Sequence, residues 1–264
     1  MRVNNDGAHI DVRIDGVADP AIVLLAGFPL ARDVWNDVTP MLSATRRVVA
    51  IDLRGTGRSS VPPGPYLMET MAGDVAAVLD ALGIEGAMLV GHSLGGYVAL
   101  AFARMYAERV QRLALVCSRI VADTPEGARR RNDLADRADR SGSAGEIIDT
   151  MVPALLGSQS VERRPALERR IRTIAECNDA RGLAALLRGM ALRDAADDIA
   201  PDLDMPVLVV AGAGDLIVGE EEARSMAAAF PRGRFALCEG SGHVPMLEEP
   251  ERLGQLLSDF SGSG

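Results

Sequence analysis

Lysine is absent from this sequence of 264 residues, so all 28 basic residues are arginine. Without lysine, a catalytic Schiff base and the lysine of a phosphate-binding P-loop are both excluded. Histidine occurs three times, as His9, His92 and His243. So few histidines cannot supply a three-ligand zinc site and a general base together. The sequence therefore predicts chemistry without a metal or cofactor.

Cysteine is also scarce. Cys117, Cys177 and Cys238 are odd in number and match no metal-binding spacing, so we expect free thiols in a reducing compartment, the cytoplasm. The first ten residues are polar, unlike a signal peptide, and no apolar run has the length of a membrane span. Acidic residues outnumber basic ones by 37 to 28, so neither a nucleic acid nor an anionic membrane is an expected partner.

Apolar runs alternate with helical patterns along most of the chain. Continuous apolar runs such as 22–25 and 207–210 are typical of parallel strands that are covered on both faces. The alternation predicts an α/β fold with a doubly wound, mostly parallel sheet of about eight strands. The strand patterns are His9–Ile14, Ala21–Ala26, Arg47–Asp52, Ala87–Gly91, Leu113–Ser118, Val207–Gly212 and Arg234–Glu239. The helical patterns lie near Ala31–Ser43, Tyr66–Leu82, Leu94–Ala107, Glu220–Phe230 and Leu247–Phe260.

The pattern changes between residues 119 and 201. This stretch is rich in Arg, Asp and Glu, has a helical period, and contains no Phe, Tyr or Trp. We interpret it as a helical cap inserted into a core formed by residues 1–118 and 202–264. A merely decorative helical insertion is the alternative.

Ser93 lies in the sequence Gly91-His92-Ser93-Leu94-Gly95, where a predicted strand meets a predicted helix. A nucleophilic serine in such a sharp turn takes strained backbone angles, and side chains two positions before and after it would collide. Glycine at both positions removes the collision. The turn also aims the N–H groups of the helix N-terminus at developing negative charge. The pattern predicts that Ser93 is a nucleophile.

Several motifs occur in a characteristic order along the chain. Residues 26–29 resemble an H-G-x-P loop, and residues 52–59 match a D-x-R-G-x-G-x-S segment. They are followed by the turn Gly91–Gly95 around Ser93, which we call the elbow, and then by Gly212–Asp215 and Gly242–His243. Over essentially its whole length, the sequence resembles the α/β-hydrolase superfamily, and within it small esterases and 3-oxoadipate enol-lactonase-like hydrolases. The resemblance implies hydrolysis by a Ser-His-Asp triad.

His243 is the predicted general base, because it follows the last strand in a glycine-rich loop that can reach back to the serine. Asp215 is the predicted acid that orients it, at the carboxyl end of a strand. The order Ser93, Asp215, His243 is that of the resembled family. Asp123 and Glu239 are the alternatives for the acid. His9 and His92 are expected to be structural, with the His92 side chain on the other side of the elbow.

The backbone N–H groups of Phe28 and Leu94 are the predicted oxyanion hole. Ala26 stands where the resembled family commonly has a histidine that supports this loop, and Pro29 offers compensating rigidity. Three further residues of the resembled motif are expected to brace the neighbouring loop rather than to touch substrate, namely Asp52, Arg54 and Ser59.

The identity of the nucleophile narrows the reaction. Haloalkane dehalogenases and epoxide hydrolases of this fold use aspartate at the elbow, and hydroxynitrile lyases rely on a lysine, so all three classes are excluded. We expect a serine hydrolase that cleaves a small to medium carboxylic ester or lactone. The alternatives are a slow-turnover signalling receptor of this fold, a perhydrolase, a thioesterase or a C–C bond hydrolase. The predicted pocket residues are Met151, Val152, Leu155, Leu156, Leu187, Met190 and Val218.

Overall fold

A sheet of eight strands forms the centre of the molecule. The computed structural model describes residues 1–156 and 165–262. The strands are β1 (Arg2–Asn5), β2 (Ala8–Asp15), β3 (Ala21–Leu25), β4 (Val48–Ile51), β5 (Ala87–His92), β6 (Val110–Val116), β7 (Val207–Gly212) and β8 (Gly233–Cys238). They lie in the order β1-β2-β4-β3-β5-β6-β7-β8. β2 is antiparallel to both of its neighbours, and the other pairs are parallel.

Helices connect these strands. The α-helices within the described ranges are α1 (Thr39–Ser43), α2 (Met68–Ala81), α3 (Leu94–Met105), α4 (Pro125–Ser141), α5 (Gly145–Leu155), α6 (Pro165–Glu176), α7 (Ala180–Ala191), α8 (Glu220–Ala228), α9 (Pro245–Glu248) and α10 (Pro250–Gly262). Short 3₁₀ helices occur at Arg32–Trp35, Ala107–Arg109 and Ala200–Asp202. No helix in the described ranges is both long enough and apolar enough to cross a membrane.

The central strands are covered on both faces. In β3, Val23 and Leu25 belong to an apolar cluster that includes residues of α2 and α3. Ile22 and Leu24 belong to a second cluster, which includes Trp35 and residues of α10. Alternate residues of a strand point to opposite faces, so each face of the sheet has its own core. The predicted doubly wound α/β class is confirmed.

β1 is absent from the predicted strands, whereas its hairpin partner β2 contains the predicted strand His9–Ile14. β1 contains two asparagines, and Val3 is its one buried residue, so its sequence has little of the pattern of a strand. A tight turn at Asp6 and Gly7, with φ of 43° and 71°, brings it back against β2. Pairing within the hairpin, rather than strand propensity, therefore forms β1.

Two predicted helices are interrupted in the structure. The pattern over 31–43 becomes the 3₁₀ helix Arg32–Trp35, a turn, and then α1. The pattern over 247–260 becomes α9 and α10, which separate at Glu249. Proline explains both breaks, because Pro40 and Pro250 have no backbone N–H and are tolerated only in the first turn of a helix.

The segment between β6 and β7 contains α4 to α7, and its described part has no strand. It is attached to the rest of the molecule by polar contacts. Asn178 donates through Nδ2 to the carbonyl of Pro29 at 2.8 Å and accepts through Oδ1 from the N–H of Gly57 at 2.7 Å. Arg170 forms a bidentate ion pair with Asp37. Residues of α6 and of the turn after it are thereby fixed to the loops at the end of the sheet.

Candidate active site

Ser93 occupies a strained turn between β5 and α3. Its backbone angles are φ 49° and ψ −113°, in the left-handed half of conformational space that side chains rarely adopt. A Cβ on Gly91 would collide with the backbone of Gly95, and a Cβ on Gly95 would collide with the carbonyl of Leu25. Glycine at both positions therefore allows the turn, for the reason that the sequence indicated.

Hydrogen bonds hold this turn from three sides. The N–H of Ser93 donates to the carbonyl of Val116 at 2.9 Å. The carbonyl of Ser93 accepts from the N–H of Gly96 and from the hydroxyl of Ser118, each at 2.9 Å. Hydrogen bonds to β6, to α3 and to Ser118 thus stabilise Ser93 in its unfavourable backbone conformation.

His243 and Asp215 are joined by a buried hydrogen bond. Their Nδ1 and Oδ2 atoms lie 2.8 Å apart, and their side chains are 1% and 0% exposed. The other carboxylate oxygen accepts from the N–H groups of Ile217 and Val218, at 2.7 and 3.0 Å. Burial raises the pKa of Asp215, but the bond and charge of His243 and these two N–H groups outweigh it, so the pKa is lowered.

The alternative acids lie elsewhere. Asp123 forms ion pairs with Arg131 and with Arg193, whose Nη1 is 2.8 Å from its carboxylate. These guanidinium groups outweigh burial and lower the pKa of Asp123. Glu239 is exposed after β8. Of the three candidate carboxylates, Asp215 is the one that is bonded to His243.

Ser93 is linked to His243 through its neighbour in the elbow, His92. Within the described residues, no hydrogen bond joins Ser93 Oγ to the His243 ring, but the ring of His92 lies 5.1 Å from that of His243, centroid to centroid. Such a serine–histidine bond is commonly long before substrate binds and tightens in the reactive complex.

The loop after β3 passes directly beside the serine. A Cβ on Gly27 would lie 3.0 Å from the Cβ of Ser93 and would overlap the ring of His92, so this contact requires glycine. Phe28 follows in this loop, and Leu94 is the first residue of α3. Within residues 1–156 and 165–262, neither residue's N–H donates a hydrogen bond to another group.

His92 is completely buried and bridges two loops. Its Nδ1 accepts from the N–H of Gly27 at 3.1 Å, and its Nε2 lies 2.8 Å from the carbonyl oxygen of His243. The sequence indicated a structural residue pointing to the other side of the elbow. The contact of its ring with the His243 backbone was missed, because no local pattern reports a pairing of residues 151 positions apart.

Cys117 is a further neighbour of this pair. It follows β6 with φ 48° and is buried. Its Sγ and ligand atoms of Asp215 and His243 all lie within 4.8 Å of one another, the spacing of a candidate metal site. Burial and the negative charge of Asp215 raise the pKa of the Cys117 thiol well above its ordinary value. The neutral thiol has a hydrogen-bond partner in the loop of the candidate base, because its Sγ donates to the carbonyl of Gly242 at 3.8 Å.

Most of the predicted pocket residues belong to one of the two apolar clusters, and Val218 lies beside Asp215. Leu155 is buried at the end of α5, and its carbonyl accepts from the N–H of His243 at 2.9 Å. Val218 is buried beside Asp215. Val152 and Leu156 share the cluster of Leu155, Leu187 and Met190 belong to the other cluster, and Met151 is half-buried against it.

The three residues expected to brace the neighbouring loop are buried and bonded. The carboxylate of Asp52 accepts from the N–H groups of Arg32 and Arg58, at 2.9 and 3.0 Å, and Ser59 Oγ donates to its carbonyl. Arg54 forms a bidentate ion pair with Asp74, both bonds 2.7 Å long. These contacts occupy the polar groups of all three side chains, as expected of residues that support a loop.

Comparison with known proteins agrees with this architecture. The family model of the alpha/beta hydrolase fold matches residues 20–250. A thermophilic esterase from Thermogutta terrifontis superposes with a TM-score of 0.94 at 35% identity, covering 98% of this chain and 97% of that one. An enol-lactonase from Burkholderia xenovorans superposes with a TM-score of 0.92 at 27% identity, with 100% of both chains covered.

A curated relative is similar to this chain in sequence over almost its whole length. The 3-oxoadipate enol-lactonase 1 of Acinetobacter baylyi is 27% identical over 261 residues, which are 98% of this chain and 96% of that protein. Esterases and enol-lactonases therefore stand among its relatives in sequence and in structure. The chain belongs to the α/β-hydrolase family.

Proposed function

We propose that this chain is a serine hydrolase that cleaves small to medium carboxylic esters or lactones through an acyl-enzyme on Ser93. The observation that carries the proposal is the buried 2.8 Å hydrogen bond between His243 Nδ1 and Asp215 Oδ2, next to the strained turn that presents Ser93. A strained serine with an oriented imidazole nearby is the arrangement that acyl transfer requires.

The proposed reaction begins at the serine hydroxyl. Because Asp215 holds the Nδ1–H of His243, Nε2 of the same ring is free to take the proton from Ser93 Oγ as that oxygen attacks the carbonyl carbon. The imidazolium that forms is stabilised by the Asp215 carboxylate. The negative charge on the carbonyl oxygen is stabilised by the N–H groups of Phe28 and Leu94.

Collapse of this tetrahedral intermediate breaks the ester C–O bond. His243 returns its proton to the leaving alkoxide, and Ser93 is left acylated. A water molecule then attacks the acyl-enzyme with His243 as its base, and a second tetrahedral intermediate releases the carboxylic acid. For a lactone the alcohol and acid remain in one molecule. The proposed cycle uses only groups of this chain and water.

The substrate class follows from the relatives and from the helical segment. Structures at 35% and 27% identity are an esterase and an enol-lactonase, so the proposed substrates are esters or lactones. We propose that the helical cap of residues 119–201, of which residues 157–164 lie outside the described residues, covers Ser93, because the carbonyl of Leu155 contacts His243 and Asn178 contacts the loop of Phe28. The proposed lining is aliphatic and without aromatic rings, formed by Met151, Leu155, Leu156, Met190 and Val218.

A panel of p-nitrophenyl esters and small lactones tests the proposal. We expect the wild type to hydrolyse members with short or medium acyl chains, and Ser93→Ala to lose about 10⁴- to 10⁶-fold in turnover. Ser43→Ala, at a half-buried serine of α1, is the matched control and should retain full activity. Wild-type rates near background for the whole panel, or an active Ser93→Ala variant, would overturn the proposal.

A further inference from the structure

His92 contacts both halves of the proposed catalytic machinery. Through Nδ1 it accepts from the N–H of Gly27, one residue before the Phe28 N–H of the proposed oxyanion hole. Through Nε2 it reaches the carbonyl oxygen of His243, the proposed base, at 2.8 Å. One rigid ring therefore connects two loops that are far apart in the sequence.

The hydrogen-bond partners assign the protons of this ring. A carbonyl oxygen only accepts, so Nε2 carries the hydrogen, and a backbone N–H only donates, so Nδ1 carries none. The ring is then neutral, with a single tautomer that satisfies both partners. Burial, followed by the proximity of His243, lowers the pKa of His92 to about 3. Asp215 acts in the opposite direction without reversing this shift.

The surroundings keep the ring from moving. Its side chain is fully buried, the edge of Trp35 packs against it at 6.4 Å between centroids, and Gly27 leaves no space between the loop and the ring. Ala26 has no side-chain hydrogen bond to offer this loop, although the resembled motif places a histidine there. His92 provides a hydrogen bond to the next residue of the same loop.

We propose that His92 is a positioning residue, which sets the distance between the oxyanion-hole loop at Gly27–Phe28 and the base His243. Oxyanion donors act only within about 2.7–3.1 Å of the developing charge, so a small displacement of either loop is costly in the transition state. Ground-state binding of the substrate depends on the remainder of the pocket. Loss of the bridge therefore lowers kcat far more than it raises KM.

This inference rests on the proposed serine-hydrolase function, so the test has one arm that needs catalysis and one that does not. The first arm compares His92→Met, which retains volume without either strong hydrogen bond, with His92→Gln, whose amide can both accept and donate. Active sites are counted by the end-point of labelling with a fluorophosphonate. His9→Gln, at a half-buried histidine of β2 remote from both loops in the contacts described above, is the matched control.

Per labelled site, we expect His92→Met to lose about 10- to 100-fold in kcat, with KM changed less than about three-fold, and His92→Gln to recover much of the loss. His9→Gln should match the wild type. If His92→Met instead retains its kcat per site and only its melting temperature falls, or if KM carries the loss, the positioning role is wrong.

The second arm observes the bridge in the wild type by ¹⁵N NMR of the histidine rings. Three histidines make the spectrum simple, and the His9→Gln and His92→Gln variants assign the signals. We expect His92 to be protonated at Nε2 only, without titrating between about pH 5 and 8. A titrating ring or the opposite tautomer would overturn the inference even if the variants are inactive or unfolded. An unreactive wild-type Ser93 would contradict the proposed function alone, and the NMR result would still decide the bridge.

Discussion

His243 and Asp215 share a 2.8 Å hydrogen bond between side chains that are almost completely removed from solvent. In such a site the carboxylate determines which ring nitrogen carries the proton, and it stabilises the ring when it becomes charged. Val218 and Ile217 hold the carboxylate from the other side, so its orientation is fixed before any substrate arrives.

Asp215→Asn is therefore expected to lower kcat by about 10²- to 10⁴-fold, because the amide can favour the wrong tautomer of His243. The measurement is ester hydrolysis per fluorophosphonate-labelled site. Glu239→Gln, at an exposed carboxylate, is the control and should not change kcat. Full activity in Asp215→Asn would show that another group orients the base.

Asp123→Asn should affect stability instead. Its carboxylate faces Arg131 and Arg193, and removing one member of such a partly buried group leaves charge poorly compensated, at a cost of about 1–3 kcal/mol near neutral pH. Urea unfolding measures this cost, and kcat per labelled site should change little. A large loss of kcat at unchanged stability would contradict this assignment.

The pH dependence of that cost has a definite sign. The pKa of Asp123 is lowered in the folded protein. Its charged carboxylate therefore stabilises the fold fully above the unfolded-state pKa of about 3.9, and this stabilisation is lost as the pH falls through the folded-state pKa. The difference in unfolding free energy between wild type and Asp123→Asn should therefore be largest above about pH 5 and shrink towards lower pH. A difference that grows on acidification would contradict the lowered pKa.

Gly95→Ala should destabilise the fold by about 3 kcal/mol or more, because the new Cβ would collide with the carbonyl groups of Leu25 and Ala26 and push α3 away from the sheet. Gly73→Ala is a matched control in α2, where a Cβ would make only an ordinary van der Waals contact, with Asn5 Nδ2 at 3.9 Å. That change should stabilise the protein by about 0.5–1 kcal/mol. Equal effects of the two substitutions on the urea midpoint would show that the close approach at Gly95 is unimportant.

Asn178→Ala should weaken the attachment of the helical segment to the loop of Phe28. The change leaves the carbonyl of Pro29 and the N–H of Gly57 without their partner, a cost of about 1–3 kcal/mol. We also expect a lower kcat, because Pro29 directly follows Phe28. Asn132→Ala, at an exposed residue of α4, is the control for thermal unfolding and hydrolysis. A variant indistinguishable from this control would argue against the attachment.

Much of the fold and of the candidate site can be predicted from short local sequence patterns. The elbow at Ser93, the apolar strands and the loop of His243 can be recognised because each is a short pattern of consecutive residues. Proline positions also mark the helix breaks at Pro40 and Pro250, although the hydrophobic pattern alone extends across both. β1 differs, because hairpin pairing rather than its own residues makes it a strand.

Contacts between residues that are far apart in the chain are the hardest to predict from the sequence. His92 and His243 are 151 positions apart, and Asn178 and Pro29 are 149 positions apart. A motif fixes the residue at each end of such a contact but not the approach of one loop to the other. The bond from His243 to the carbonyl of Leu155 is harder still to predict, since any residue type provides a carbonyl.

Trapping the acyl group tests the proposed acyl-enzyme on Ser93 most directly. The wild type is mixed with p-nitrophenyl acetate, quenched in acid within the first turnovers, digested and analysed by mass spectrometry. The proposed acyl-enzyme mechanism predicts one acetyl group, on Ser93, and none in Ser93→Ala. An acetyl group on another residue such as Cys177 in place of Ser93, or hydrolysis by Ser93→Ala at the wild-type rate, would contradict it.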